Sequence, residues 1–370
     1  MSNFTSTATP TVTDFTSVLS NETTPMLLSL DKLLDHLDFE LWEIVINTFI
    51  LPPINLIGIV LCSFSLWIFS RPSFEDPIFF YYKLLCFVSI IHLSHNIPEC
   101  ILFSLKYFPM INTFALNIYQ IFYVNLSLFL FHFEEILQMA ILLHKMKLYV
   151  PFVRKYFTSS PQFISLSLGL TCLFIDLPFT SSLKIAPLSN YYYINSNGVK
   201  QTDTFYYYTL SDFGRSFFGQ ILIGFTSVFL NQFMSLLVGV TLNIVSYVKF
   251  KLYSNRRKRE FEHLQMSSIN NRPTTSREIE QQRQRERTEQ QIERNMYRMS
   301  LTLCTISIIS RILSILVFFL NFFFKSFSSS HLTETVGNLI FTLVPTVSTF
   351  IFYSFSQMFR DETKRVFRLE

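Results

Sequence analysis

The sequence predicts an all-α membrane protein, a bundle of seven transmembrane helices followed by a short amphipathic eighth helix. Three observations carry that expectation. Apolar residues make up 49% of the chain and charged residues 15%, short of the roughly 25% charged that a water-facing fold carries. The apolar residues fall into runs long enough to cross a hydrocarbon core, which takes about 20 residues as a helix. Lys and Arg gather between alternate runs instead of spreading evenly. With 8 Gly and 5 Cys in 370 residues, collagen-like and disulfide-scaffold classes are excluded.

The seven runs are 41–69, 78–105, 114–143, 162–182, 213–250, 296–324 and 336–355. Each is read as a helix, because lipid offers backbone groups no partner outside a helix or a closed barrel, and these runs are not short alternating strands. The fifth is longer than a bilayer needs, so it tilts or projects into the cytosol. A polar tail, 1–40, precedes the runs, and a mid-length loop, 183–212, joins the fourth to the fifth. The third inner loop, 251–295, is strongly charged; the stretch 278–298 is Glu, Arg and Gln with little that is apolar. That composition suits a solvated helix running straight into the sixth span. In the tail 356–370 and just before it, Phe355, Met358, Phe359, Val366 and Leu369 share a face at helical spacing, while Arg360, Lys364 and Arg365 can meet headgroups. An eighth helix lying on the membrane is the expectation. No internal repeat of the inverted-transporter kind is evident.

Orientation follows from positive charge. With the amino terminus outside, the inner face collects Arg71, Lys83, Lys145, Lys147, Arg154, Lys155, the basic third loop and the carboxyl tail. The outer face holds Lys32, Lys106, Lys184, Lys200, Arg215 and Lys325. The triplets Asn3-Phe4-Thr5 and Asn21-Glu22-Thr23 are glycosylation acceptors in that outer tail. The tail opens polar and lacks an apolar signal core, which leaves the first span as the membrane signal. The cluster Phe205-Tyr206-Tyr207-Tyr208 reads as an interfacial aromatic belt.

Charges inside the spans are the candidate functional residues. A central ionisable group costs about 2.5–3.5 kcal/mol on insertion scales, so it faces the bundle interior and takes a partner. Glu134 and Glu135 in the third span, Asp176 in the fourth and Arg311 in the sixth are such groups. At about 1.5 Å per residue their depths are compatible with contact near mid-membrane, so Arg311 is expected to pair with one of the three acids, Glu134 or Glu135 first. Two readings stay open: a pair that holds a resting state and yields to a ligand, or a static pair that fixes helix register. Glu99 and Asp212 lie near the outer end, where they meet a ligand or water. His92 and His95 are three apart, but with no third ligand in view they read as packed polar residues. No metal or cofactor is implied, and no nucleophile, base and orienter occur together as an enzyme would need.

Three local stretches carry a resemblance. At the inner end of the third span the sequence is His144-Lys145-Met146-Lys147-Leu148-Tyr149-Val150-Pro151. Pro345-Thr346-Val347-Ser348-Thr349-Phe350-Ile351-Phe352 precedes Phe359-Arg360 at the end of the seventh. The first has Asn55-Leu56-Ile57-Gly58. With seven spans, an outer tail and a basic third inner loop, these resemble the rhodopsin-like G-protein-coupled receptors over roughly 48–367. The chain departs from the family pattern in each. His144 and Lys145 stand where the family has an acid and an Arg, Ser348 and Thr349 fall under its Asn-Pro motif, and the sixth span has Cys304 but no Pro after it. Such divergence is similar to that of invertebrate orphan and chemosensory receptors of nematode or rotifer type.

The resemblance implies a multi-pass receptor of the plasma membrane, carboxyl end in the cytoplasm. It would bind a small-molecule or peptide ligand, a chemosensory one included, from outside, and signal to a heterotrimeric G protein. Membrane lipid is a further partner, and nucleic acid is not. Residues carried over by motif position as coupling candidates are His144, Lys145, Met146, Lys147, Tyr149, Arg298 and Arg360. The alternatives are a transporter or ion channel in which Glu134, Glu135, Asp176 and Arg311 line a polar path, and an inverted seven-span chemoreceptor channel with its tail inside.

Overall fold

The computed structural model describes residues 45–105, 113–194, 200–271, 276–323 and 330–367. Within the described residues the apolar runs are largely helical. A π-helical turn, Ile46–Ile50, leads into α1, Leu51–Phe69, whose Pro52 and Pro53, which lack an N–H, follow closely on that turn. After it come α2, Pro77–Leu105, α3, Thr113–Met146, and α4, Pro161–Ser182. The fifth span continues as α5, Ser235–Asn271; α6 runs Ser276–Phe323, α7 Ser330–Phe355 and α8 Gln357–Phe367. Among the described residues, six helices have stretches long and apolar enough to cross a membrane, ending with Gln290–Leu313 of α6. The 26 residues of α7 extend about 39 Å, also enough for a bilayer core of about 30 Å. The fold is therefore a seven-helix membrane bundle with an eighth helix behind it.

Two features depart from the sequence expectation. The fifth run is not one helix. Asp212–Arg215 and Phe217–Ile223 are separate short helices, followed by a π-helical stretch, Gly224–Met234, before α5 begins. Serine caps make the breaks: Ser211 Oγ accepts from Gly214 N at 3.1 Å and Ser216 Oγ from Gly219 N at 2.9 Å. The loop 183–212 is also more ordered than expected. Its described residues include two antiparallel strands, β1, Leu183–Ile194, and β2, Lys200–Leu210, paired with an irregularity between Leu188 and Tyr191. The Phe205–Tyr208 cluster assigned to an interfacial belt lies in β2. Tyr enrichment on both sides of a Gly-containing turn sequence, with Thr added in β2, is a strand signal that explains the pairing.

The charged stretch before the sixth span does run into it without interruption: α6 has 48 residues, about 72 Å at the helical rise. The core lies toward the inner half of the bundle. Phe69, Phe74, Tyr82, Phe352 and Phe359 are all fully buried and make edge and stacked ring contacts with centroids 5.0–6.1 Å apart. Phe359 belongs to α8, so that helix is anchored by a ring inserted beneath α1 and α7, while Ser73 reaches its Glu362 at 3.2 Å. Gly58 permits the close approach of α1 to α2 and α7: a Cβ there would lie 2.5 Å from Thr346 Oγ1 and 2.7 Å from Leu93 Cδ1.

Candidate functional site

The interior polar groups centre on α3. His132, Glu134 and Glu135 occupy little more than one helical turn, and residues spaced about 100° apart face different neighbours. His132 Nδ1 lies 2.9 and 3.1 Å from the two carboxylate oxygens of Asp176 on α4. Glu134 Oε2 lies 3.3 Å from His92 Nδ1 on α2. Glu135 takes both a hydrogen bond from Arg311 Nε, at 3.2 Å, and a second from Nη2 of the same guanidinium. Arg311 is 1% exposed and lies over the face of Phe131, 4.8 Å from the ring centroid.

Of the acids offered to Arg311, Glu135 is therefore the partner. Glu134 and Asp176 turn instead to histidines. The sequence reading missed His132 altogether, and it treated His92 as a packed polar residue where it meets a carboxylate. A lone His in an apolar run carries little signal; three ionisable residues within four positions at 132–135 would have pointed to it. Glu134, Glu135, Gln138, Ser307 and Ser310 line one small cavity with Phe131 and Val344, which has room for about one water. Of Glu99 the structure describes only the backbone, within α2.

All five cysteines are buried thiols, so no disulfide ties the outer face among them. Cys62 donates to the Pro345 carbonyl at 3.6 Å, and Ser65 to Thr349 at 2.9 Å, joining α1 to α7. The position that the family motif reserves for Asn and Pro is thus filled by hydroxyls that serve helix contacts: Ser348 Oγ turns back to the Pro345 carbonyl at 2.6 Å.

At the inner end the coupling candidates occupy distinct places. Met146 is buried, Lys145 lies within electrostatic range of Asp76 and Glu293, and the His144 ring rests edge-on against Tyr81 at 5.5 Å. Lys147 lies over the Phe157 ring, 5.2 Å from its centroid. Tyr149 is the centre of a latch. Its hydroxyl is 2.7 Å from Ser246 Oγ on α5, and its ring contacts Phe250 and Tyr253 of α5 and Tyr297 of α6, at 5.8–6.2 Å. Phe250 stacks on Tyr297 at 3.8 Å. Burial raises the Tyr149 phenol above its ordinary range, so it stays neutral and free to hydrogen-bond. One turn further along both helices, away from the spans, Arg257 pairs with Glu293. Tyr82 of α2 adds a hydrogen bond to Ser300 of α6 at 2.9 Å; Ser300 already donates to the Met296 carbonyl, so the tyrosine is the donor.

Arg298 is exposed on α6. Arg360 donates to the carbonyls of Tyr353, at 3.1 Å, and Ser354, at 2.6 Å, and so caps the carboxyl end of α7. Asn3 and Asn21 lie outside the described residues.

No protein-family model matches the chain, and no curated protein matches it in sequence. Among solved structures, it is similar to the crystal structure of squid rhodopsin, with a TM-score of 0.57 over 87% of this chain and 85% of that one, at 12% sequence identity. The arrangement of helices around α3 is thus that of a rhodopsin-like seven-helix fold.

Proposed function

We propose that the chain is a receptor of the plasma membrane, of the G-protein-coupled kind, that takes an external ligand and signals to a heterotrimeric G protein. The carrying observation is the buried pair Arg311 and Glu135, joining α3 to α6 at mid-bundle within a rhodopsin-like fold. Such a pair stores a preference for one helix arrangement, which a ligand with different affinity for two arrangements can shift. In this reading 1–40 is the glycosylated outer tail, with acceptors Asn3 and Asn21; 41–355 is the transmembrane domain, 251–295 its cytoplasmic third loop, and 356–370 the cytoplasmic tail.

Glu134, Glu135, Asp176, Arg311 and Glu99 form the ligand or switch region. His144, Lys145, Met146, Lys147, Tyr149, Arg298 and Arg360 form the coupling end. The divergent motifs around His144 and Ser348 favour an invertebrate orphan or chemosensory type. The positive charge gathered at 249–298 supports placing that end in the cytosol.

The channel or transporter alternative needs a wet path through the same charges. Against it, Glu134, Glu135, Asp176 and Arg311 are each less than a tenth exposed and each meets a charged or imidazole partner. The test is reconstitution in lipid with several purified G proteins, comparing nucleotide exchange for wild type and Lys145→Ala, with a ligand panel where basal exchange is silent. Exchange that depends on Lys145 is expected. Ion flux without any G protein, lost on mutating Glu135 or Asp176, would instead establish the channel.

A further inference from the structure

The inner half of α5 has two sides of different character. Toward the bundle lie Ser246, which meets Tyr149, Phe250, which stacks on Tyr297, and Arg257, which pairs with Glu293. On the other side Leu237, Ile244, Val245, Val248 and Leu252 are 37–60% exposed. At 100° per residue they fall within an arc of about 120°. An apolar stripe of that kind on a spanning helix, with no helix packed on it, faces lipid.

The stripe runs into uncompensated charge. From Ser235 to Arg259 the chain has no Asp or Glu and six Lys and Arg, all of them after Val248. Arg256 and Arg259 continue the lipid-facing arc, and Lys249 and Lys251 stand at its two margins. All four are exposed, and among the described residues none of them takes an acid partner. Arg257, next to Arg256, is turned by about 100° toward α6 and is neutralised there. The sorting of cations between the two sides is thus a matter of helix face.

Their spacing along the axis selects the partner. At about 1.5 Å per residue Arg256 stands about 10 Å and Arg259 about 15 Å beyond Lys249. The headgroup zone of one leaflet is about 5–7 Å deep. Lys249 and Lys251, where the apolar stripe ends, therefore sit at the level of the phosphodiester that every phospholipid has. Arg256 and Arg259 stand above that level. A serine headgroup ends within the zone, whereas a phosphorylated inositol ring carries its further phosphates out past it.

We propose that this face of α5 binds a polyphosphoinositide of the inner leaflet. The acyl chains lie along Val245, Val248 and Leu252, Lys249 and Lys251 take the diester, and Arg256 and Arg259 take the ring phosphates. Arginine suits the outer positions, because its planar fork binds a phosphate through two N–H groups. Clusters of four or more Lys and Arg just inside a span attract such lipids electrostatically; here the helix also sets them in a ladder. The bound lipid fixes the depth of α5 and holds its inner end from the side opposite Tyr149 and Glu293. The site rests on the cytosolic placement of this end and not on signalling. A chain that drives no nucleotide exchange leaves it standing, and its own failure leaves the receptor reading untouched.

The test uses the full chain in discs of phosphatidylcholine that also contain a phosphatidylinositol bisphosphate and phosphatidylserine at equal total charge, with no G protein. Mass spectrometry of the intact chain released from the discs counts each lipid that stays bound. Wild type is expected to retain the bisphosphate lipid in preference to the serine lipid. Arg256→Gln and Arg259→Gln each weaken that retention about fivefold, the effect of one cation near the surface. Arg257→Gln makes the same change in charge one residue away and leaves the retention unchanged. Wild-type preference is read without any variant, so a substitution that failed to fold would leave the test intact. Equal retention of the two lipids by wild type, or equal weakening by Arg256→Gln and Arg257→Gln, overturns the proposal in favour of a diffuse attraction between basic segment and anionic membrane.

Discussion

Glu134 and Glu135 are adjacent in the chain, yet they bond helices on different sides of α3: Glu134 meets His92 of α2, and Glu135 meets Arg311 of α6. The turn of about 100° between successive helical residues makes this possible without any bend in α3. His132 extends the pattern to Asp176 of α4. Three polar contacts from one stretch of α3 therefore tie it to three neighbours in a setting where apolar packing alone gives little directional preference, since lipid is as apolar as the helices.

Breaking one side of the Arg311 pair should cost more than removing both. Arg311→Leu leaves Glu135 buried and uncompensated, a loss of about 3–5 kcal/mol, and Glu135→Leu does the same to Arg311, while the double variant Arg311→Leu with Glu135→Leu should recover most of it. Detergent-resistant thermal unfolding of the two singles and the double gives the coupling energy. A loss in the double variant equal to the sum of the two single losses would show that the pair is not energetically linked.

How much of this was legible in the sequence differs between backbone and site. Seven apolar runs follow directly from lipid's demand that backbone groups pair internally, and the long charged lead-in to α6 follows from the helix propensity of its Glu, Arg and Gln. The strand pair was missed because Tyr191–Tyr193 and Phe205–Tyr208 satisfy two descriptions at once, strand and membrane interface, and composition does not separate them. The break before Ser216 was marked by Ser-x-x-Gly spacing, a cap signal hidden inside an apolar run. Glu134, Glu135, Asp176 and Arg311 stood out because charge is rare in lipid. Which acid takes Arg311 depends on helix rotation, and the sequence does not set that rotation.

Tyr149 should restrain the inner ends of α5 and α6. Tyr149→Phe removes only the hydrogen bond to Ser246, worth about 1 kcal/mol. Tyr149→Ala also removes the ring contacts to Phe250, Tyr253 and Tyr297. Spin labels at exposed inner positions of α3 and α6 should report a graded increase in distance or spread, smallest for Phe and largest for Ala. Identical distances in all three proteins would rule out a latch.

The packing at Gly58 leaves no room for a side chain. A Cβ would come within 2.5 Å of Thr346 Oγ1, an atom held by its own bond to the Thr342 carbonyl at 3.0 Å, so the neighbour cannot simply turn aside. Gly58→Ala is expected to cost about 1–3 kcal/mol as α1 shifts from α2 and α7, and Gly58→Val more. A folded-monomer peak in size-exclusion profiles that survives heating equally in wild type and Gly58→Val would disprove the close contact.

Phe359 fixes α8 to the bundle. Its ring is fully buried against Phe64, Phe69 and Phe352, while Phe367 at the far end of the helix is exposed despite touching Phe64. Truncating a buried Phe costs about 3–5 kcal/mol, more than a helix of 11 residues can supply from its own hydrogen bonds in water. Phe359→Ala should therefore release α8 while the seven spans stay folded, and Phe367→Ala should do so far less. Hydrogen exchange of the peptide covering 357–367 distinguishes them. Fast exchange confined to the Phe359 variant is the expected result, and equal protection in both variants would mean that α8 is held by the membrane surface alone.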